Sequence, residues 1–397
     1  MEVRSILSRI YRWEHLSLCL IVAITLAMHF SIITQVSDPI LDELHYVKSS
    51  RHIISGDVNP DDSTNRMELR PEHPPLAKLF IVGGMDAFGD NPWGWRVPSI
   101  IMGTIGITLF YFICRRLKMS RRATNIATFL LAFENFTFML ASVAMLDVFF
   151  VTFTLAFFLL YLYRQYFLSG IFVGLAALAK LFAALGTFPI FIHWLFTKTK
   201  HNRWFLLTVI TAPVSFVAFT SLLNYPIFRR FENPLNQIKE MLSLSGSLKF
   251  TNTTHPALSR PWEWLLNYEP MAFWYSPHYT GGISLSVWVF MIPVALYMLY
   301  RTLKGNDAGL FGFSWFVGTF LLWIPISIFT DRVSFIYYIY PTIGALCLGL
   351  GLGLNEALEW VPFKTRRVKI PVMTGVAAFF LFHIASFVVM TPVFIRT

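Results

Sequence analysis

Charge is scarce in this chain. Only 14% of its 397 residues are Asp, Glu, Lys or Arg, against 55% hydrophobic residues. That ratio excludes a soluble domain, which could not hide so much apolar surface behind so few charges. Cysteine is scarcer still: Cys19, Cys114 and Cys347 all fall in apolar runs, with no spacing for a disulfide framework or a metal cage. There is no Gly-rich phosphate loop, no His/Cys metal spacing and no Ser-His-Asp signature, which argues against a nucleotide-driven pump and a soluble-type hydrolase. No internal repeat and no appended soluble domain can be read. The first apolar run lacks a small-residue cleavage site, so it reads as a retained helix.

What the chain has in excess is apolar length. Runs near 16–36, 97–115, 123–141, 145–163, 167–180, 182–197, 204–222, 284–300, 309–329, 334–354 and 371–391 predict about eleven transmembrane helices. The expected fold class is an all-α polytopic membrane protein, a single unit over 1–397. The basic residues alternate with these spans. One side collects Arg4, Arg9, Arg12, "RRLKMSRR" (115–122), Arg164, "KTKHNR" (198–203), "YRTLK" (300–304) and "KTRRVK" (364–369). It holds 18 Lys and Arg against 5 Asp and Glu, a charge of +13; the remainder holds 14 against 17, or −3, which together give the net +10. Lys and Arg mark the cytoplasmic face, so the basic balance is a topology signal and not a nucleic-acid footprint.

Two long loops, 37–96 and 223–283, then lie outside. In the first, "SDPILDELHYVKSSRHIISG" predicts an in-plane helix capped by Ser37 or Asp38, with Pro39 first and Gly56 last. Its apolar stripe would be Ile40, Leu41, Leu44, Val47 and Ile54, and Asp42, His45 and Ser49 would share another face. Adjacent Asp42 and Glu43 point to different sides of a helix, so only one can face a site. "EHPPLAK" (72–78) makes a rigid corner holding Glu72 or His73, since a double proline cannot continue a helix. Lys78 and Arg96 near the outer boundary suit an anionic lipid head group, and Arg offers a bidentate fork for phosphate. Asp147 and Lys180 sit in apolar surroundings at outer span ends, where ionisable side chains are functional candidates. The second loop holds another in-plane helix, "NPLNQIKEMLSLSG", and then the Trp-, Tyr- and Pro-rich "HPALSRPWEWLLNYEPMAFWY".

In order and spacing these pieces resemble the protein O-mannosyltransferase family, within the polyprenyl-phosphate-sugar-dependent GT-C glycosyltransferases. "LDELHYVK" is similar to the family's Asp-Glu stretch, "EHPPLAKL" to its His-Pro-Pro-Leu-x-Lys motif, "WRVPSIIMG" to its Arg-led second span and "AMLD" to its Leu-Leu-Asp. "HPALSRPWEW" resembles its HPY-x-SRPW-x-W motif, and "DRVSFIYYIYP" its R-x-x-F-L-Y-H-Y-L-P stretch. The resemblance covers most of 38–345. It departs at Glu72, where many members carry Asp and the aminoarabinose-transferring sister group carries Glu. It departs also at Ser142, often Arg, and at Tyr338, often His. The soluble MIR region of eukaryotic members is missing from these residues.

The resemblance implies a GT-C fold and an inverting sugar transfer, of mannose, from a polyprenyl-phosphate donor to a hydroxyl. Asp42 would be the catalytic carboxylate, with Glu43 beside it and Glu72 its competitor. Arg96, Lys78, His73, Asp147, Lys180 and Arg332 would shape the donor and phosphate site. His255, Arg260, Trp262 and Trp264 would lie on the acceptor side. No metal site and no cofactor are required, although Glu72 and His73 could hold a divalent cation. The expected partners are the lipid-linked donor, a protein or lipid acceptor and the surrounding lipids. The expected location is a prokaryotic plasma membrane with the site on its outer face. The alternatives are transfer to a lipid or glycan acceptor, as in aminoarabinose transferases, and a lipid-linked sugar transporter. The transporter would need charges in mid-span, where only Glu134 is a candidate.

Overall fold

Asn91 accepts a hydrogen bond from the Trp93 amide and Pro92 occupies the first turn, so a helix begins there and runs Pro92–Arg116. At about 1.5 Å per residue its 25 residues reach ~37 Å, enough to cross a bilayer. The computed structural model describes residues 15–58, 62–197, 202–266 and 268–394. Arg4, Arg9, Arg12, Lys198 and Lys200, part of the basic pattern, lie outside the described residues.

Among those described, five helices are long and apolar enough to span: Pro92–Arg116, Arg203–Phe228, Asp307–Thr330, Ile336–Phe363 and Arg366–Met390. A sixth candidate is the pair Arg121–Ala132 and Asn135–Ser142, long and apolar enough only when taken together and bent by 53°. Five shorter apolar helices accompany them: Leu16–Ile32, Leu146–Leu162, Tyr166–Ala179, Leu181–Phe196 and Met291–Leu303. The helix Ile336–Phe363 is the most enclosed. Its glycines allow close approach: a Cβ on Gly344 would sit 2.3 Å from the Trp315 ring, and one on Gly351 2.6 Å from Ala127.

Several expectations are corrected. The run 123–141 is two helices, because Glu134 ends the first and caps the second, accepting from the Thr137 and Ser284 amides. Glu134 is thereby a capping carboxylate at a helix break. The first outer helix starts late, at Glu43, with Asp42 as N-cap and residues 37–41 irregular. It buries Glu43, Tyr46, Val47 and Ser50, while Leu44 and Ile54 are exposed, so the buried face is not the purely apolar stripe. A helix at Leu76–Phe88, missed in the sequence, follows the double proline and packs against Pro92–Arg116 and the first outer helix. The structure is also not strictly all-α. Met271–Trp274 and Tyr279–Gly281 form an antiparallel hairpin with Met271 opposite Gly281. The second outer helix is present as Pro234–Ser247, capped by Asn233. Arg66 of the first loop grips Glu240 on it through two nitrogens, tying the long loops together.

Candidate active site

The site is organised by a buried ion pair. Arg96, one turn into its helix, donates Nε and Nη2 to the two Glu43 oxygens at 3.0 and 2.9 Å. Its remaining N–H groups reach the carbonyls of Ile33, Val36 and Asp38 at 2.7, 2.7 and 3.1 Å. Glu43 also accepts from the Ile40 and Ala144 amides at 3.0 and 2.9 Å. Both side chains are essentially inaccessible, at 1% and 0%. Burying two charges is costly unless every polar atom is satisfied, and here all five guanidinium N–H groups are engaged. The bend at 33–43 is wrapped around this cation, which explains the late helix start. Tyr279 of the hairpin donates to the Ile32 carbonyl and backs the bend.

The neighbouring carboxylate is treated oppositely. Asp42 is half-buried and makes no side-chain capping bond. The Tyr337 hydroxyl donates to it at 3.3 Å. Tyr337 also faces Lys180, whose Nζ lies 5.3 Å from that ring and 4.8 Å from the Tyr338 ring. Lys180 donates to both oxygens of Asp147, at 2.8 and 2.9 Å, and both side chains are buried. Asp42, Tyr337, Tyr338, Lys180 and Asp147 therefore meet at one locus, drawn from four separate stretches of chain.

The proline corner forms the adjoining wall. The Lys78 ammonium donates to the carbonyls of Leu69, Arg70 and His73 at 2.7, 3.1 and 2.9 Å, which closes the turn. Burial lowers its pKa to about 8, so it remains ammonium at neutral pH. His73 is held well below the ordinary histidine range by burial and then by the cations Lys180, Lys78, Arg332 and Arg70. Arg70 donates to His45 at 2.6 Å, and burial followed by this charge lowers the His45 pKa also. Glu72 lies 3.5 Å from Arg70 and keeps Oε2 buried without a hydrogen-bond partner. Among the described residues no group of three His, Cys, Asp or Glu side chains could hold a metal ion. Four cations around His73 suit an anion better than a divalent cation.

The second loop reaches the site through main chain. Lys249 bridges Arg332 and Leu258 bridges Phe335. The Val333 amide donates to Leu248 at 3.1 Å, and the Ser259 amide to Ser334 at 3.0 Å. Two residues beyond that strip lies Tyr337. Arg260 pairs with Asp331 at 2.7 Å and lies over the Phe250 and Trp262 rings, His255 packs edge-on against Phe335, and Trp264 is buried with its indole N–H on Ser259. Of the four acceptor-side candidates, Arg260 and His255 touch the 331–335 strip, while Trp262 and Trp264 lie behind them against Arg260 and Ser259. Arg332, on the same strip, has Nη1 buried with no partner among the described residues.

The structure therefore separates the candidates. Asp42, Lys180, Asp147, His73, Glu72 and Arg332 share one neighbourhood; Arg96, Glu43 and Lys78 have their polar atoms spent on the protein itself. Sequence reading placed His45 on the face of Asp42 but missed Tyr337, Arg70 and Tyr46, the last edge-on to His73, although all lie within or beside the quoted motifs. Ser142, where a family arginine is usual, is hydrogen-bonded to His29 at 2.9 Å. Chemically the locus offers a proton acceptor with spare lone pairs beside a cationic wall.

A profile described as dolichyl-phosphate-mannose-protein mannosyltransferase matches residues 72–225. The polyprenol-phosphate-mannose–protein mannosyltransferase of Corynebacterium glutamicum is 25% identical over 410 residues, covering 80% of this chain and 77% of that protein. The protein of the same description from Mycolicibacterium smegmatis is 32% identical over 134 residues, 34% of this chain and 25% of its own. Among solved structures, the S. cerevisiae protein O-mannosyltransferase Pmt1–Pmt2 complex bound to the sugar donor superposes with TM-score 0.75 at 11% identity, covering 97% of this chain and 90% of that one. ArnT from Cupriavidus metallidurans in the apo state gives 0.62 at 16% identity, covering 95% and 76%. These two share the fold.

Proposed function

We propose that this chain, a member of the dolichyl-phosphate-mannose-protein mannosyltransferase family, moves a mannosyl unit from a polyprenyl-phosphate carrier to a hydroxyl of a protein acceptor. The observation that carries this reading is the Asp42 carboxylate, unspent by capping or ion pairing among the described residues, which meets Tyr337 beside the Lys180–Asp147 pair. Asp42 takes the proton of the acceptor hydroxyl as its oxygen attacks the anomeric carbon. The bond from that carbon to the phosphate oxygen breaks, and the lipid phosphate leaves with the electron pair. Arg332, Lys180 and Arg70 offset its growing charge. One displacement inverts the anomeric centre. Arg96 and Glu43 act as a positioning clamp for Asp42, and Lys78 fixes the corner that carries Glu72 and His73. This chemistry needs no metal, so chelation leaves transfer unchanged.

The six long or bent spans and the five shorter apolar helices would cross the membrane eleven times. The +13 and −3 sides then put both long loops, and Asp42, on the extracytoplasmic face of a prokaryotic plasma membrane. A cysteine at the exposed Thr254, labelled by an impermeant thiol reagent in intact cells, checks that face. The reaction is tested with the protein in lipid, polyprenyl-phosphate [¹⁴C]mannose, and Ser/Thr peptides beside lipid acceptors. Labelled peptide supports the reading. Label in a lipid product instead supports the aminoarabinose-transferase-like alternative, which Glu72 before the double proline favours.

A further inference from the structure

A cavity lies at the opposite end of the molecule from Asp42, on the basic face. Arg116 ends the helix that carries Arg96 in its second turn, twenty residues on and so ~30 Å away along its axis. Beside it opens a cavity of about 390 Å³, within the size range of small-ligand sites. Among the described residues, three Lys and Arg side chains line it: Arg116, Lys118 and Arg164. Arg116 is pinned over the Tyr163 ring, and its Nε is buried with no hydrogen-bond partner. Lys118 and Arg164 are exposed and make no ion pair among the described residues. The single carboxylate on the wall among the described residues, Asp307, is occupied by His193 at 3.2 Å, and the Tyr161 hydroxyl meets the other nitrogen of that ring at 2.9 Å.

We propose that this cavity binds a phosphate ester, with the phosphate between Arg116, Lys118 and Arg164. Orientation in the membrane alone explains basic residues on this face, but it requires neither a cavity nor a guanidinium nitrogen left unpaired inside one. Arginine presents a planar fork to phosphate oxygens, and the two further cations bring the charge that a phosphate mono- or diester carries. Basic pockets between transmembrane helices at this depth suit lipid head groups. A soluble phosphate ester offers the same group, and the experiment separates the two sources. The site is independent of Asp42 and of the transfer reaction.

The test uses the full chain in detergent. Native mass spectrometry reads retention of phosphatidylglycerol against phosphatidylcholine, and thermal unfolding reads stabilisation by inorganic phosphate and glycerol phosphate. The wild-type protein is expected to retain phosphatidylglycerol preferentially or to be stabilised by the soluble phosphates. Arg116→Gln/Lys118→Gln/Arg164→Gln is expected to lose that response at least tenfold with transfer activity kept. Because removing three cations could disturb insertion, Asp307→Asn is the second variant: it deletes the lining carboxylate and is expected to strengthen the response about twofold or more. Preferential lipid retention without a phosphate-induced shift assigns the lipid head group; a shift that the triple variant loses assigns the soluble ester. Equal behaviour of the wild type and both variants, or no response to any probe, overturns the proposal.

Discussion

Asp42 and Glu43 are neighbours in the chain and opposites in the fold. Glu43 is inaccessible, and its two oxygens accept four hydrogen bonds, two of them from Arg96. Asp42 is half-buried and meets one hydroxyl at 3.3 Å. A carboxylate whose lone pairs are all committed holds structure together; one with lone pairs to spare can take a proton. The same division runs through the cations. Arg96 and Lys78 are saturated by carbonyls and Glu43, whereas Arg332 keeps a buried nitrogen unpaired. Residue type alone predicts none of this. Partner saturation sorts the machinery from its frame.

The comparison can be broken at its most consequential point first. Asp42→Asn keeps shape but removes the proton acceptor, and single-turnover transfer is expected to fall about 10²–10⁴-fold with donor affinity and melting temperature retained. A near-normal rate would move the base to Glu72, the competing carboxylate with a free buried oxygen. Glu43→Gln should do the reverse. It leaves the Arg96 charge buried without its partner, so the protein loses about 3–5 kcal/mol of stability in thermal or denaturant unfolding. Adding Arg96→Met removes the second charge and is expected to restore much of that loss. If Glu43→Gln were as stable as the wild type, the clamp would not be what holds the bend.

Smaller effects sharpen the cation half of the contrast. Arg332→Gln is expected to weaken donor binding by about tenfold, roughly 1.4 kcal/mol, with the melting temperature little changed. Arg96→Lys should instead lower the turnover rate and stability while donor affinity stays. The smallest signal is in pH. Burial and four cations hold the His73 pKa below its ordinary 6.5, so it is neutral through the working range. The unfolded chain binds the extra proton first, and the fold therefore loses stability as pH falls below about 6.5. His73→Asn should remove that loss and leave the neutral-pH rate profile without a new step near 6.5, measured by unfolding and initial rates.

The membrane-embedded architecture was legible because hydropathy is a local property: each apolar run reports itself. The divergence of Asp42 and Glu43 was legible too, since adjacent residues on one turn cannot share a direction. Which of the pair Arg96 would claim was not, because that choice depends on carbonyls at 33, 36 and 38 that turn toward the guanidinium only once the chain bends. The break at Glu134 looked like a charge in mid-span, and only the Ser284 amide, 150 residues away, shows why it is a cap. The helix Leu76–Phe88 was hidden by the prolines before it, which were read as a stop and act as a start. The hairpin 271–281 lay in an aromatic stretch whose pattern names no single state. Tyr337 was inside a quoted motif, yet its aim at Asp42 depends on a strip pinned by the second loop.

That pinning has an evolutionary consequence. The segments 248–250 and 258–259 hold the 331–335 strip mainly by amide-to-carbonyl bonds, which belong to no particular side chain. Selection can therefore rewrite much of the outward surface of the second loop while the distance from Tyr337 to Asp42 stays as it is. Surface sequence is free to drift on a chassis that keeps Tyr337 aimed at Asp42.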